Sequence, residues 1–189
     1  MNEQTKYTPS DAVHAEVDKS AEVWTLIVRR ELPYAPDKVW RALTDPSELR
    51  EWAPFDADRD MGSVGPVTLT TVGAPSPQVT ETRVKVAEAN RALEFNWGGG
   101  DQDLRWELEP LANGGTRLTL WHHIDKRFIA MGAAGWHVCL DVLDRFLGGE
   151  PIGRTAGMET MKLPAWQQLL ARYSKEFGVE APKWAPQKA

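Results

Sequence analysis

The chain has one cysteine, no long hydrophobic run and no excess of positive charge. Cys139 has no second cysteine with which to form a disulfide inside the chain, as is usual in a reducing compartment. The longest uncharged, mostly apolar run covers residues 128–140, whereas a membrane-spanning helix needs about 20 residues. The net charge of −5 gives no electrostatic reason to expect nucleic acid or a membrane surface as a partner. Residues 1–20 carry no apolar signal-peptide core, so we expect a cytoplasmic protein.

Tryptophan, in contrast, is unusually frequent, with nine copies in 189 residues. Indole is large and apolar and carries one hydrogen-bond donor, so it suits protein cores, cavity walls and interfaces. The remaining composition is that of an ordinary globular protein, long enough for one well-buried core. We predict a single domain over residues 21–179, with a flexible tail at 1–20 and a second tail at 180–189.

The first predicted elements are a strand and two short helices. Residues 23–32 are rich in β-branched and aromatic side chains, which predicts a strand. Pro36 then begins a helix at the position where its missing N–H costs nothing. Asp45 is placed to cap a second helix. These helices carry Trp40 and Trp52, and two indoles beside a sheet are well suited to wall a cavity.

From about residue 60 the sequence alternates between apolar and polar side chains as far as residue 124. Glycine-rich turns at 98–101 and 113–115 interrupt the alternation, which predicts an antiparallel meander. One face of this sheet is apolar and the other is charged. The apolar face therefore needs a cover.

Helical spacing of apolar residues predicts that cover at 131–147. A loop at 148–163 and a further helix at 164–177 follow. The fold class is therefore α+β: a curved antiparallel sheet of about six or seven strands around a long C-terminal helix, with two short helices after the first strand. Because one helix cannot fill a curved sheet along its whole width, we expect a cavity or deep groove beside it.

Several segments between residues 22 and 147 resemble the START-like, SRPBCC superfamily, and within it bacterial homologues of the activator of heat-shock protein 90 ATPase. The segments that carry the resemblance are Arg30 with Leu32-Pro33, residues 36–46 with Leu49 and Trp52, residues 93–97, residues 114–120 with His122, and Gly135-Trp136. The resemblance implies a helix-grip fold that encloses an apolar cavity. Its members include lipid carriers, polyketide cyclases, hormone receptors and co-chaperones, so the fold by itself does not decide the activity.

We predict that aromatic and aliphatic side chains from the sheet and helices wall this cavity and bind the ligand. The predicted ligand-binding residues are Trp40, Trp52, Phe55, Leu69, Phe95, Trp97, Trp106, Leu120, His122, Trp136, Leu140 and Leu143. His122 alternates with Leu118 and Leu120, so it faces inward, either as a buried core histidine or as a group that orients a ligand.

The sequence indicates no catalytic residue, metal site or cofactor. His122 and His123 are adjacent on a strand and point to opposite faces, so they cannot chelate one ion. His137 and Cys139 diverge on a helix for a similar reason. Arg30 is expected on the inner face, where it needs a carboxylate or an anionic ligand as partner.

Three functions remain open at this point. The first is a binding protein for a hydrophobic or aromatic small molecule. The second is a co-chaperone-like regulator of a chaperone ATPase, which predicts an exposed apolar patch around Trp166 and Tyr173. The third and least supported is a cyclase or dehydratase that uses His122 with a cavity carboxylate. The sequence leaves the oligomeric state open.

Overall fold

The structure is a computed structural model that describes residues 7–74, 76 and 78–180. Its strands are β1 (Val13–Asp18), β2 (Thr25–Leu32), β3 (Phe55–Ala57), β4 (Gly65–Thr71), β5 (Gln78–Glu88), β6 (Ala92–Asn96), β7 (Asp103–Pro110) and β8 (Thr116–His123). Its helices are α1 (Pro36–Thr44), α2 (Pro46–Trp52), α3 (Ile129–Leu147), α4 (Met158–Met161) and α5 (Pro164–Phe177).

The strands form one antiparallel sheet in the order β1-β2-β8-β7-β6-β5-β4-β3. The sheet is curved but not closed, because β1 and β3 lie at opposite edges. Only the pairing of β2 with β8 joins strands that are not consecutive in sequence, and it brings the two ends of the meander together. The predicted α+β helix-grip fold is thereby confirmed, with eight strands rather than six or seven.

The strand β1 corrects the expectation of a flexible tail at residues 1–20. Val13–Asp18 pairs along its whole length with β2, and its side chains alternate between apolar (Val13, Ala15, Val17) and polar. This alternation is a strand signal that the sequence does carry, and the expectation of a tail overlooked it. The two short helices consequently follow the second strand rather than the first. Of the second predicted tail, residues 181–189 lie outside the described part of the chain.

The two short helices begin where the sequence predicts. Pro36 and Pro46 occupy first-turn positions, and the Asp45 side chain accepts a hydrogen bond from the Ser47 backbone N–H at 2.7 Å. Asp45 is therefore the N-cap of α2. The Glu48 side chain pairs with Arg41 instead of completing a capping box.

The long helix α3 lies in the grip of the sheet and packs against β2 on one side and α5 on another. The apolar residues of α5 form the buried stripe expected from their spacing and face α3. The additional C-terminal helix is therefore a second layer behind α3.

A buried polar cluster fastens the N-terminal segment to α3. The carboxylate of Asp141 accepts hydrogen bonds from the Tyr7 hydroxyl at 2.6 Å and the Ser10 hydroxyl at 2.6 Å, and it pairs with Arg30. Arg30 also pairs with Asp144 at 2.6 Å. Arg30 thus finds carboxylate partners on the inner face of the sheet, and the ion pair is structural.

Candidate ligand cavity

A partly open cavity of about 810 Å³ lies between the sheet and the N-terminal half of α3. Its other walls are the tip of the β4–β5 hairpin and the segment from Thr155 to Trp166. The apolar part of the wall includes Trp97, Ile124, Phe128, Met131, Trp136, Met161 and Trp166. The volume falls within the range of about 300–1,000 Å³ that is typical of small-molecule sites.

Gly135 of α3 helps to explain why the cavity lies at this end of the helix, whereas Gly132 is closely packed against Ile124 and Leu26. Gly132 and Gly135 line it, and a Cβ atom added to Gly135 would meet nothing within 4 Å. Farther along the same helix, Leu140, Leu143 and Leu147 are buried and fill the space between the helix and the sheet. The helix therefore leaves a space where it lacks side chains and packs the core where it has leucines.

His122 lies in this wall on the inner face of β8 and is 3% exposed. Its Nδ1 accepts a hydrogen bond from the Trp136 indole N–H at 3.1 Å. Burial lowers the pKa of His122 to about 3, so the imidazole is neutral at pH 7. Because Nδ1 is the acceptor, the proton of the neutral ring sits on Nε2.

The Nε2 atom of His122 has no hydrogen-bond partner. Among the described residues four buried side-chain polar atoms lack a partner, and His122 is the one of these residues that also lines the cavity. A buried donor without a partner costs on the order of 1–3 kcal/mol. The cavity wall therefore offers one unsatisfied donor in otherwise apolar surroundings.

The rim of the cavity is polar. Gln78, Gln102, Asp125 and Arg127 contribute to it and are exposed. The Arg127 guanidinium is paired with the Asp125 carboxylate at 2.8 Å. Charged and amide groups therefore lie at the opening of the cavity, and aromatic rings lie inside.

Two glycines form a close crossing at the edge of the cavity. The Gly73 carbonyl accepts a hydrogen bond from the Met158 N–H at 3.0 Å, and a Cβ atom on Gly157 would lie 2.4 Å from the Gly73 Cα. Gly157 has a φ of 80°. Arg154 secures the same loop through an ion pair with Asp56 of β3 at 2.6 Å. The hairpin tip and the loop are therefore joined across one side of the opening.

The structure brings together three of the twelve predicted ligand-binding residues at the cavity wall: Trp97, His122 and Trp136. It places eight others in the packed core instead: Trp52, Phe55, Leu69, Phe95, Trp106, Leu120, Leu140 and Leu143. Trp40 is half-buried on α1 and packs against the core. None of these nine residues lines the cavity: eight pack in the core, and Trp40 lies on α1 at its edge. Their part in ligand binding stays a prediction.

An edge-to-face series of rings links the core to the cavity. Trp52 packs against Trp106 at a centroid distance of 6.0 Å, and Trp106 packs against Trp136 at 5.3 Å. Trp136 in turn contacts Trp97 at 5.8 Å. The core tryptophans therefore support the cavity wall without forming it.

Several wall residues escape prediction from the sequence. Met131, Cys139 and the two α3 glycines recur at helical spacing, which is a signal that the sequence does carry. Trp166 is brought to the cavity by the packing of α5 on α3, which no local pattern reveals. Burial raises the pKa of the Cys139 thiol to about 12, so this side chain is an inert part of the wall.

The exposed patch expected around Trp166 and Tyr173 is absent, because these side chains are 3% and 0% exposed. Within the described ranges, no three His, Cys, Asp or Glu side chains come close enough to hold a metal ion. None of the helices described is both long and apolar enough to cross a membrane.

An antiparallel sheet wrapped around a long helix, with an apolar cavity between them, defines the helix-grip class of the SRPBCC superfamily. The chain belongs to the polyketide cyclase / dehydrase and lipid transport family, whose model matches residues 23–147. No curated protein sequence matches it. The family supports a hydrophobic-ligand-binding fold.

Solved structures share this fold at low identity. The crystal structure of CalU16 from Micromonospora echinospora is similar with a TM-score of 0.62 and 20% identity, covering 91% of this chain and 97% of CalU16. A conserved protein of unknown function from Enterococcus faecalis gives 0.65 and 15%, covering 86% and 89%. A protein from Bordetella parapertussis gives 0.59 and 19%, covering 97% and 100%. At these identities the similarity shows the fold alone.

Proposed function

We propose that this protein binds a hydrophobic or aromatic small molecule in the cavity beside the N-terminal half of α3. The observation that carries the proposal is an aromatic-lined space of about 810 Å³ between α3 and the sheet, into which Gly135 of α3 extends no side chain. Burial of apolar ligand surface supplies the affinity, at about 25 cal/mol per Å². The polar rim keeps charged parts of a ligand at the entrance.

The three tryptophans at the wall make this binding measurable. Trp97, Trp136 and Trp166 lie at the cavity, so an occupying molecule changes their fluorescence. We expect at least one member of a panel of sterols, fatty acids, flavonoids and polycyclic aromatics to give a saturable change with a matching thermal shift. Native mass spectrometry of freshly purified protein detects a co-purified compound independently. Absence of all three signals would contradict the proposal.

Regulation of a chaperone ATPase, as a homologue of the heat-shock protein 90 activator, remains a second prediction without a supporting surface. The apolar stripe of α5 that was expected to present a partner site is buried against α3. A chaperone ATPase assay tests it directly, and stimulated turnover on addition of this protein would support it.

The cytoplasmic location likewise stays a prediction, and fractionation of the source cells tests it.

Cyclase or dehydratase chemistry has less support from the cavity. His122 has a pKa of about 3, so it is a weak base and is not protonated at pH 7. Asp125, the carboxylate at the rim, is engaged by Arg127. These two groups therefore form a poor acid–base pair, and binding without chemistry is the function that the geometry supports better.

A further inference from the structure

We propose that His122 selects ligands that bury a neutral hydrogen-bond acceptor, such as a carbonyl, ether or heteroaromatic nitrogen, against its Nε2–H. This inference rests on the proposed binding function and specifies which end of the ligand would enter the cavity first. Trp136 is the positioning residue, because its indole N–H occupies Nδ1 and holds the proton on Nε2.

The geometry of the inner end of the cavity favours an acceptor over the alternatives. The Nε2 donor is buried and has no partner, so a hydrocarbon placed against it leaves its hydrogen bond unmade. The cationic side chain in the wall is Arg127, which lies at the exposed rim and is paired with Asp125. A buried carboxylate would therefore meet a neutral imidazole without a charge to balance it.

The Trp97 indole lies beside His122 in the cavity wall. The Trp97 ring is half-buried, and its centroid lies 6.1 Å from that of the imidazole. Its Nε1 donates a hydrogen bond to the Thr71 hydroxyl at 3.1 Å, and the ring packs against Phe55 and Trp136. Nε2 is buried, so an acceptor reaches it when the side chains around it shift slightly on binding.

Matched ligands of one shape test the proposal on the whole protein. Fluorenone carries a neutral acceptor, fluorene carries none, and fluorene-9-carboxylate carries an anion. Dissociation constants of the three are measured by tryptophan fluorescence and calorimetry for the wild type and for His122→Phe. The substitution removes the donor and keeps an aromatic ring at the wall.

We expect the affinity ratio of fluorenone to fluorene to fall about tenfold from wild type to His122→Phe, the value of one hydrogen bond. Because the same two ligands are compared in both proteins, their different solubilities cancel in this ratio. An unchanged ratio with both ligands bound would overturn the inference and leave the binding function intact. Binding of none of the three, or of any analogue with two to four rings, would overturn both.

A measurement on the wild type alone covers the case in which His122→Phe fails to fold. Nitrogen-15 spectra of the imidazole report which ring nitrogen carries the proton. We expect Nε2 to be protonated in the free protein and its resonance to shift on addition of fluorenone but not of fluorene. A proton on Nδ1, or tightest binding of the carboxylate with a doubly protonated ring, would overturn the proposal.

Discussion

Arg30 of β2 and Asp141 of α3 form a buried ion pair, with side chains 6% and 5% exposed. The pair joins the inner face of the sheet to the helix that it grips. It lies at the half of α3 that packs the core, away from the cavity. Its role can therefore be tested by stability, separately from ligand binding.

Removing the cation should strongly destabilise the protein. Arg30→Met leaves the buried Asp141 carboxylate without its charge partner, which typically costs about 3–5 kcal/mol. The neighbouring Arg29 provides a matched control, since it pairs with Glu16 at the surface and Arg29→Met should cost at most about 1 kcal/mol. Urea unfolding of both variants measures the difference, and equal small losses would show that the buried pair contributes little.

Acid should destabilise the folded state through His122. Its pKa is about 3 when folded and near the ordinary 6.5 when unfolded, so between these values the unfolded chain binds one more proton. Stability therefore falls as the pH drops through this window, by about 1.4 kcal/mol per pH unit from this group. Burial also lowers the pKa of His137, which adds a contribution of the same sign.

The pH dependence is isolated by comparing His122→Phe with the exposed neighbour His123→Phe. Urea unfolding at pH 6.5, 5.5 and 4.5 should show a slope smaller by one proton in the first variant. The second variant controls for replacing an exposed histidine by phenylalanine next to the same site. Parallel curves for wild type and His122→Phe would mean that His122 binds a proton equally in the folded and unfolded states.

The close contact between Gly73 and Gly157 at the cavity edge should require that residue 157 has no side chain. Gly157→Ala brings a methyl group into the Gly73 backbone at a φ of 80°, whereas Gly149→Ala has the same φ and open space around it. We expect Gly149→Ala to cost about 1 kcal/mol and Gly157→Ala clearly more, with weaker ligand binding. Thermal melts and fluorescence titrations measure both effects, and equal losses would rule out a role for the crossing.

The fold was predictable because its signals are local. Alternation in β8 correctly turns His122 inward, and helical spacing in α3 and α5 identifies the cover of the sheet. The strand β1 carries the same kind of local signal, because Val13, Ala15 and Val17 alternate with polar residues. It was therefore predictable from the sequence, and the expectation of a tail at residues 1–20 overlooked it.

The position of the cavity was harder to predict than its existence. An inward-facing side chain gives the same sequence pattern whether it packs against another side chain or borders a cavity. One difference between Leu140, in the core, and Trp136, at the wall, is that Trp136 follows Gly135, which has open space beside it. The meeting of Gly73 with Gly157 joins segments far apart in sequence, so no local pattern reveals this side of the cavity.

The most direct test fills the cavity from Gly135. Gly135→Phe places a ring in the open space beside α3, and Gly135→Ala is the matched control, since it adds only a methyl group. Replacing a mid-helix glycine should stabilise the control by about 0.5–1 kcal/mol. We predict that the best ligand of the panel binds wild type and Gly135→Ala with similar dissociation constants and binds Gly135→Phe at least tenfold more weakly, with the fold retained. Equal affinity for all three proteins would contradict binding in this cavity.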